Sequence, residues 1–209
     1  MFPPIEGVSR ETLDVLASYA RLLLQWNATH NLISRSSESE IWRRHIEDSV
    51  QIYDLAPDDA RSWLDLGSGA GLPAIVAAIM ARQAGRDTRF TLVEANRKKA
   101  AFLRAASRTL GLEINVRNER IESVNSTPYD VVSARALASL DQLLGYAEKF
   151  RSDRTICLFP KGRTVENELL EAQKHWKIKL QTIPSRTDNA SVILRIQEYE
   201  HVRSPRRNG

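Results

Sequence analysis

Apolar residues near the start of the chain recur at the spacing of an α-helix. A 3.6-residue period over residues 9–26 predicts an amphipathic helix whose apolar face is formed by Leu13, Leu16, Ala20, Leu23 and Leu24. Further on, the order Ser37-x-x-Glu40 is typical of a capping box. It predicts a second helix that begins there and runs to about residue 53. A polar connector follows at residues 57–60.

After this connector the pattern changes to short apolar runs that alternate with helical segments. We predict seven strands, at residues 63–66, 90–93, 114–116, 129–133, 155–159, 178–183 and 192–197. Between them we predict helices at residues 73–84, 96–110 and 140–150, and a polar helix that ends near residue 176. This alternation is typical of a doubly wound α/β fold with a mostly parallel sheet, and the two adjacent strands late in the chain indicate an antiparallel edge.

The same pattern divides the chain into three parts. We expect residues 1–56 to be a helical N-terminal extension packed on the core, and residues 57–200 to form one α/β domain. Residues 201–209, "HVRSPRRNG", are basic and are expected to be a frayed tail. A length of 209 residues suits this organisation.

Composition excludes several classes of protein. Cys157 is the only cysteine, so a disulfide framework is impossible, and we expect no metal site. The N-terminus lacks a signal-peptide pattern and no apolar run is long enough to cross a bilayer, so we expect a soluble, cytoplasmic monomer with no membrane partner. The net charge of +4 suits a polyanionic partner but does not identify one.

The segment "LDLGSGAGLPA" carries three glycines in five residues directly after a predicted strand. Glycine accepts positive φ and lets a ligand approach the backbone closely. Ligands of open α/β sheets bind beyond the carboxyl ends of the strands. We therefore expect Gly67, Gly69 and Gly71 to contact a cofactor, with Pro73 at the first position of the following helix.

Two acidic residues flank this loop. Asp65 stands directly before it, where it would repel a pyrophosphate but attract the ammonium group of a ligand. Glu94 ends the next strand, where a carboxylate accepts hydrogen bonds from the hydroxyls of a ribose. Ammonium and ribose together describe S-adenosylmethionine. The alternatives are a nicotinamide-dependent oxidoreductase, whose glycine spacing differs, and a structural turn followed by an ordinary strand-end acid.

Other polar residues are candidates for substrate contacts. Arg135 follows the fourth strand and is either a surface residue or a ligand for cofactor or guanine, since arginine pairs bidentately with guanine N7 and O6. His45, Asp48 and Ser49 share one predicted helix face, so they either shape a base pocket or serve the structure. Lys161 follows the fifth strand and either contacts phosphate or forms a turn.

The helix predicted at residues 96–110 has a basic face. It is either a footprint for RNA phosphates or an ordinary solvated surface, and it is formed by Arg97, Lys98, Lys99, Arg104 and Arg108.

Five segments together resemble one family. "LLQWNATHNLIS", "WRRHIEDS", "WLDLGSGAGLP", "SRALASL" and "FPKG" are similar, in that order, to bacterial 16S rRNA guanine-N7 methyltransferases of the small subunit, type G, also called glucose-inhibited division protein B. The resemblance implies a class I S-adenosylmethionine-dependent methyltransferase fold (Rossmann-like) with a helical N-terminal extension. It also implies methylation of guanine N7 in the 530 loop of 16S rRNA, at guanine 527 in rRNA numbering.

The resemblance also implies cofactor contacts at Gly67, Leu72, Ile121, Glu122 and Arg135. The partner it implies is 16S rRNA or the small ribosomal subunit. The chain departs from many relatives at Ala74, where they have a further glycine, and in "FPKG". Neither departure removes a charged group, so we expect activity.

The chemistry of the chain agrees with N7 as the methylated atom. Guanine N7 has a lone pair and no proton to lose, so positioning suffices without a general base. Methylation of a pyrimidine carbon needs a cysteine nucleophile, whereas Cys157 lies in a predicted apolar strand. The sequence after the fourth strand, "SARAL", also lacks the Asn/Asp-Pro-Pro-aromatic loop of many amine methyltransferases. A non-catalytic RNA-binding assembly factor remains the alternative of another class.

Overall fold

A computed structural model of the chain describes residues 2–202 and places a seven-stranded sheet at its centre. The strands are β1 Ser62–Leu66, β2 Arg89–Val93, β3 Ile114–Arg117, β4 Val131–Ser133, β5 Ile156–Lys161, β6 Trp176–Pro184 and β7 Val192–His201. Their order is β3-β2-β1-β4-β5-β7-β6. The first five are parallel, and β7 is antiparallel to both of its neighbours. The predicted mostly parallel sheet with an antiparallel edge is therefore confirmed.

Six α-helices lie within the described residues. They are α1 Arg10–His30, α2 Asp48–Asp54, α3 Ala74–Gln83, α4 Arg97–Thr109, α5 Leu140–Glu148 and α6 Val165–Ala172. α1 continues beyond its predicted end because the left-handed residue that caps it is Asn31, with φ of 49°. The predicted end of the last helix near residue 176 is wrong. Trp176 is only 3% exposed and opens β6, where its indole stacks on His201.

The start of the second helix also differs from the prediction. The Ser37 hydroxyl does not cap it, because that hydroxyl donates to the Ser34 carbonyl (2.8 Å) and hydrogen bonds with the His45 ring (2.9 Å). Ser37 instead ends a short 3₁₀ turn, and a π-helical segment over Trp42–Glu47 leads directly into α2. Single π-helical turns inside helices are frequent at functional sites.

The N-terminal helix shares the core on one side of the sheet. α1 packs on α3 and α4, and its buried Leu16 and Leu23 join Ile75 and Phe102 in one apolar cluster. α3 is buried at every position from Ala74 to Ala81, because α1 and α2 cover the side that faces away from the sheet. The glycine loop between β1 and α3 is thereby enclosed by the N-terminal extension. The boundary at residues 56 and 57 stays a prediction.

The first two residues of the predicted tail, His201 and Val202, are hydrogen-bonded to the fold. His201 belongs to β7, and the Val202 N–H donates to the His175 carbonyl at 2.8 Å. The rest of that tail, residues 203–209, lies outside the described residues. Among residues 2–202, no helix combines the length and the hydrophobicity that a membrane crossing requires.

Candidate functional site

The glycine loop follows β1, and all three of its glycines adopt a positive φ. Gly67, Gly69 and Gly71 have φ of 63°, 53° and 84°. A Cβ at Gly67 would overlap the Leu137 side chain and one at Gly71 the Ile75 side chain, so packing explains these two glycines. A Cβ at Gly69 would meet nothing closer than the Gly67 carbonyl oxygen, at 3.8 Å. Gly69 therefore presents open backbone to a ligand.

A cavity of about 330 Å³ lies against this loop. We call it the glycine-loop cavity, and among the residues that line it are Gly67, Gly69, Leu72, Lys99 and Arg135. Pro73 is the N-cap of α3, one position before the predicted place. The predicted loop residues Gly67, Gly69 and Leu72 thus share one cavity wall, whereas Gly71 lies behind it.

Asp65 lies in β1 beneath the loop and is 1% exposed. One carboxylate oxygen, Oδ1, accepts a hydrogen bond from the Ser133 hydroxyl at 2.5 Å. The other oxygen, Oδ2, is buried and has no partner among the described residues. Burial raises the pKa of Asp65 to about 7, against the hydrogen bond from Ser133. A buried carboxylate oxygen without a partner fits a ligand that brings a cation to the loop.

Glu94 follows β2 and is 8% exposed, and its carboxylate holds the loop from the other side. One oxygen accepts the Gly69 N–H at 2.8 Å, and the other accepts the Asn96 N–H at 2.7 Å. Asn96 is the N-cap of α4, so Glu94 ties the glycine loop to the start of that helix. The sequence predicted a carboxylate free for ribose. Each oxygen here already accepts one backbone hydrogen bond and keeps its remaining lone pair for a ligand.

Ile121 and Glu122 stand in a 3₁₀ turn beyond β3. Ile121 is 8% exposed and belongs to the apolar core beside β4, and the Glu122 carbonyl accepts a hydrogen bond from Lys149 Nζ at 3.0 Å. Neither residue lines the glycine-loop cavity. Their cofactor contacts stay a prediction that rests on the family resemblance.

A second cavity of about 290 Å³ adjoins the first at the carboxyl ends of β4 and β5. We call it the strand-end cavity, and Asp48, Lys161, Ser185 and Thr187 are among its lining residues. Both cavities have four residues in common, namely Arg44, His45, Arg135 and Ala136. The site thus consists of two adjacent spaces that meet at Arg135.

Arg135 connects the helical extension to the sheet. Its Nη2 contacts His45 Nδ1, and its Nη1 lies 3.6 Å from Asp48 Oδ2. That nitrogen is buried and has no hydrogen-bond partner among the described residues. The sequence therefore identified three residues that the structure brings together, although they come from two elements 90 positions apart.

His45 is a neutral ring with both nitrogens occupied. Burial, followed by the charges of Arg135 and Arg44, lowers the pKa of His45 to about 3. Because the Arg135 guanidinium donates to Nδ1, the ring proton is assigned to Nε2, which then donates to the Ser37 hydroxyl at 2.9 Å. His45 has no free lone pair with which to accept a proton.

The two other predicted substrate residues are already engaged. Ser49 is fully buried and its hydroxyl donates to the His45 carbonyl at 2.6 Å, one helical turn back. It lines neither cavity. Lys161 lines the strand-end cavity, but its ammonium group donates to Glu168 (2.7 Å) and to the Ala138 carbonyl (2.9 Å). In this arrangement Lys161 stabilises the turn after β5 rather than offering a free charge.

Sequence reasoning missed two features of the site. The Tyr19 hydroxyl, on α1, donates to the Ala70 carbonyl in the glycine loop at 2.6 Å. The hydroxyls of Ser185 and Thr187, in the connection between β6 and β7, each donate to Asp48 Oδ1 at 3.2 Å. The position of Tyr19 between Leu16 and Leu23 on the predicted helix indicates that it is buried, which is the only sequence signal for its contact with Ala70. No local pattern indicates the contacts of Ser185 and Thr187 with Asp48.

The remaining candidates lie away from catalysis or on the surface. Cys157 is fully buried in β5, and burial raises the pKa of its thiol to about 12, so it is a core residue and not a nucleophile. The basic face of α4 is exposed at four positions, and Lys99, which is partly buried, turns toward the glycine-loop cavity. Residues 2–202 contain no cluster of side chains suited to a metal ion.

Comparisons with known proteins agree with this geometry. A family model described as rRNA small subunit methyltransferase G matches residues 12–193. The ribosomal RNA small subunit methyltransferase G of Ruegeria sp. (strain TM1040) is 46% identical over 195 residues, which cover 93% of this chain and 95% of that protein.

Solved structures give the same picture for the fold. A putative class I S-adenosylmethionine-dependent methyltransferase from Listeria monocytogenes superposes with a TM-score of 0.63 at 11% identity, covering 96% of this chain and 74% of that one. M. jannaschii TYW2, solved in complex with AdoMet, superposes with a TM-score of 0.55 at 14% identity and 76% coverage of both chains. The predicted class I methyltransferase fold with a helical N-terminal extension is confirmed.

Proposed function

The chain belongs to the rRNA small subunit methyltransferase G family, and on that premise we propose that it transfers a methyl group from S-adenosylmethionine to N7 of a guanine in 16S rRNA. The observation that carries the choice of atom is the junction of the two cavities. Arg44, His45, Arg135 and Ala136 form that junction, and none of them has a free base to take a proton. A junction of this kind suits an acceptor that reacts there through a lone pair and loses no proton, while the carboxylate of Asp48 lies beyond the junction in the strand-end cavity.

The glycine-loop cavity is the place for the cofactor. When bound, S-adenosylmethionine supplies an electrophilic methyl group on a sulfonium centre. Neither Asp65 nor Glu94 lines this cavity, but both lie against the loop that bounds it. We assign Asp65 to the ammonium group, because its Oδ2 lacks a partner in a buried place. Glu94 is assigned to the ribose and Gly69 to close backbone contact, with Gly67 and Leu72 as neighbouring walls. Ile121 and Glu122 complete the proposed set on the strength of the family resemblance.

The strand-end cavity is the place for the target base. Arg135 cannot hold guanine through both N7 and O6 in a productive complex, because a donor on N7 would occupy the lone pair that accepts the methyl group. Arg135 is therefore assigned to O6 or to the cofactor. His45 keeps the guanidinium in place as a neutral acceptor. We place the reaction in the cytoplasm, where 16S rRNA is found.

Methyl transfer to RNA lacking the modification tests the proposal. Ribosomal RNA and small subunits from a strain without this gene are incubated with purified protein and methyl-labelled S-adenosylmethionine, and the labelled nucleotide is mapped. The expected product is one N7-methylguanine in 16S rRNA. Replacing that guanine by 7-deazaguanine should abolish labelling, because carbon then stands at position 7. Label at another atom, or RNA binding without turnover, would contradict the proposal. Thermal shift assays test the oxidoreductase alternative. S-adenosylmethionine should raise the melting temperature of the protein, and NAD should not.

A further inference from the structure

One donor and one acceptor in the strand-end cavity lack hydrogen-bond partners. Asp48 uses Oδ1 for the hydroxyls of Ser185 and Thr187, whereas Oδ2 has no hydrogen-bond partner among the described residues. Arg135 Nη1 is likewise unpartnered. The two atoms are 3.6 Å apart, which is too far for a good hydrogen bond between them. A charge pair whose side chains are only 20% and 14% exposed is costly unless a further group satisfies both members.

Guanine presents the complementary groups in the required order. Along one side of the base, N7 is followed by the O6 acceptor and then by the N1–H donor, with the 2-amino donor beyond. In the site, the glycine-loop cavity is followed by Arg135, which lines both cavities, and then by Asp48, which lines only the strand-end cavity. With O6 at Arg135 and N1–H at Asp48, N7 is directed toward the glycine-loop cavity.

We infer that Asp48 determines the specificity for guanine by accepting a hydrogen bond from N1–H of the target base. This inference rests on the proposed function of the same site. Adenine has the reverse pattern, with a donor at position 6 and an acceptor at N1. It would therefore place a donor against Arg135 and a lone pair against the Asp48 carboxylate. Two mismatched pairs in a buried place give strong discrimination, because each polar group is left without a partner.

The surroundings of Asp48 hold its carboxylate in place for this role. The connection between β6 and β7 supplies the Ser185 and Thr187 hydroxyls, both residues being less than a tenth exposed. Gln51, one turn further along α2, fastens the same connection through the Pro184 carbonyl and the Arg186 N–H, each at 2.8 Å. Asp48 Oδ1 is thus held by two donors and Oδ2 is left toward the cavity. A carboxylate that served only to pair with Arg135 would be expected closer than 3.6 Å.

A chemical double-mutant cycle tests the contact between Asp48 and N1–H. Full-length 16S rRNA carries guanine or N1-methylguanine at the nucleotide that the enzyme methylates, and is used both free and in reconstituted small subunits. Wild type and Asp48→Ala are compared in single-turnover methyl transfer at saturating S-adenosylmethionine. On guanine, Asp48→Ala should lose on the order of 10- to 100-fold, the scale of a hydrogen bond to a charged group. Wild type should lose at least about 10-fold on N1-methylguanine, whereas Asp48→Ala should discriminate between the bases by less than about twofold.

The control variant is Asp54→Ala. Asp54 lies on the same helix and lines neither cavity. It pairs with the exposed side chain of Arg186, whereas Gln51 holds the Arg186 N–H. Its replacement therefore removes the same charge and leaves the base pocket intact. It should behave like wild type. Calorimetry should give Asp48→Ala the wild-type affinity for S-adenosylmethionine. If Asp48→Ala does not fold, Asp48→Asn replaces it in the cycle and should show reduced discrimination.

Two results would overturn the inference. One is equal loss on N1-methylguanine in wild type and variant, and the other is full transfer to N1-methylguanine by wild type. Both leave the proposed function standing, because N7 is still methylated. Transfer to 7-deazaguanine would instead contradict the proposed function, whatever the cycle gives.

Discussion

Arg135 is the residue through which the two cavities communicate. Its side chain is 20% exposed and is held between a neutral imidazole and a carboxylate. Such a guanidinium contributes by alignment, because it is fixed before any ligand arrives. Its contribution to general RNA affinity should be small, since phosphate contacts are spread over many exposed cations.

Replacement of Arg135 should therefore separate methyl transfer from RNA retention. We expect Arg135→Ala to lower single-turnover transfer to rRNA by on the order of 100-fold, with little change in filter binding of the same RNA at several salt concentrations. Arg135→Lys should not restore transfer, because an ammonium group lacks the planar fork that reaches two partners. Normal transfer with a shallower salt dependence of binding would show that Arg135 is a phosphate contact.

Gly69 offers a second test at this scale, with a matched control. Gly69 and Gly85 both have positive φ, 53° and 64°, and an added Cβ meets no close neighbour at either. Alanine at either position should cost about 1–2 kcal/mol of unfolding free energy through backbone strain. Calorimetry should show a large loss of S-adenosylmethionine affinity for Gly69→Ala only. If Gly69→Ala and Gly85→Ala bind S-adenosylmethionine with equal affinity, the ligand does not approach the loop at Gly69.

At the scale of elements, α1 supports the glycine loop. Tyr19 is fully buried, and its hydroxyl donates to the Ala70 carbonyl at 2.6 Å. We expect Tyr19→Phe to lower the unfolding free energy by about 1–2 kcal/mol, because a buried carbonyl loses its donor. The affinity for S-adenosylmethionine should fall several-fold as the loop loosens. Denaturant titration and calorimetry measure the two effects.

Tyr53→Phe is the control for this prediction. The Tyr53 hydroxyl is also buried, yet it has no hydrogen-bond partner among the described residues. Its removal should change stability by less than about 0.5 kcal/mol and leave cofactor affinity unaltered. If Tyr19→Phe behaves in the same way, the extension encloses the core without positioning the loop.

Elements differ in how far the sequence predicted them. The parallel strands were predicted within two residues at either end, because buried strands read as short apolar runs between turn residues. The π-helical segment over Trp42–Glu47 was not predicted, since the spacing of apolar residues does not distinguish it from an α-helix. The capping box failed at Ser37 because a tertiary contact with His45 engages the hydroxyl.

The residues of the candidate site also differ in how far the sequence predicts their contacts. The proximity of Arg135, His45 and Asp48 could be predicted, because Arg135 follows a strand end and the other two share a helix face near it. Their roles in the site stay predictions. The contact between Ser185 and Asp48 spans 137 positions and depends on how the edge of the sheet folds back over α2. Glu94 was placed correctly at the end of β2, but its bonds to the Gly69 and Asn96 N–H groups depend on loop geometry that no sequence pattern fixes.

At the scale of the whole molecule, two buried groups give opposite contributions to the pH dependence of stability. The pKa of Asp65 is raised in the fold to about 7, so the folded state holds a proton that the unfolded chain releases near pH 4. The bound proton on Asp65 therefore stabilises the fold fully below about pH 4, and this stabilisation is lost as the pH rises to about 7. The pKa of His45 is lowered to about 3, so its contribution is complete above about pH 6.5 and is lost as the pH falls. Between about pH 4 and 6.5 the two slopes oppose each other.

The variants Asp65→Asn and His45→Gln should reveal the two opposite pH dependences of stability separately. The unfolding free energy of wild type minus that of Asp65→Asn should fall by about 1.4 kcal/mol per pH unit between about pH 4 and 7, because only wild type loses the bound proton on unfolding there. The corresponding difference for His45→Gln should rise with pH between about 3 and 6.5. Denaturant titrations of the three proteins across this range measure both slopes. S-adenosylmethionine affinity of wild type should increase toward pH 7, as the ionised Asp65 becomes available to the ammonium group, and this increase should be absent in Asp65→Asn. A flat difference between wild type and Asp65→Asn would mean that Asp65 is already ionised in the free protein at these pH values, and it would contradict the raised pKa of this carboxyl.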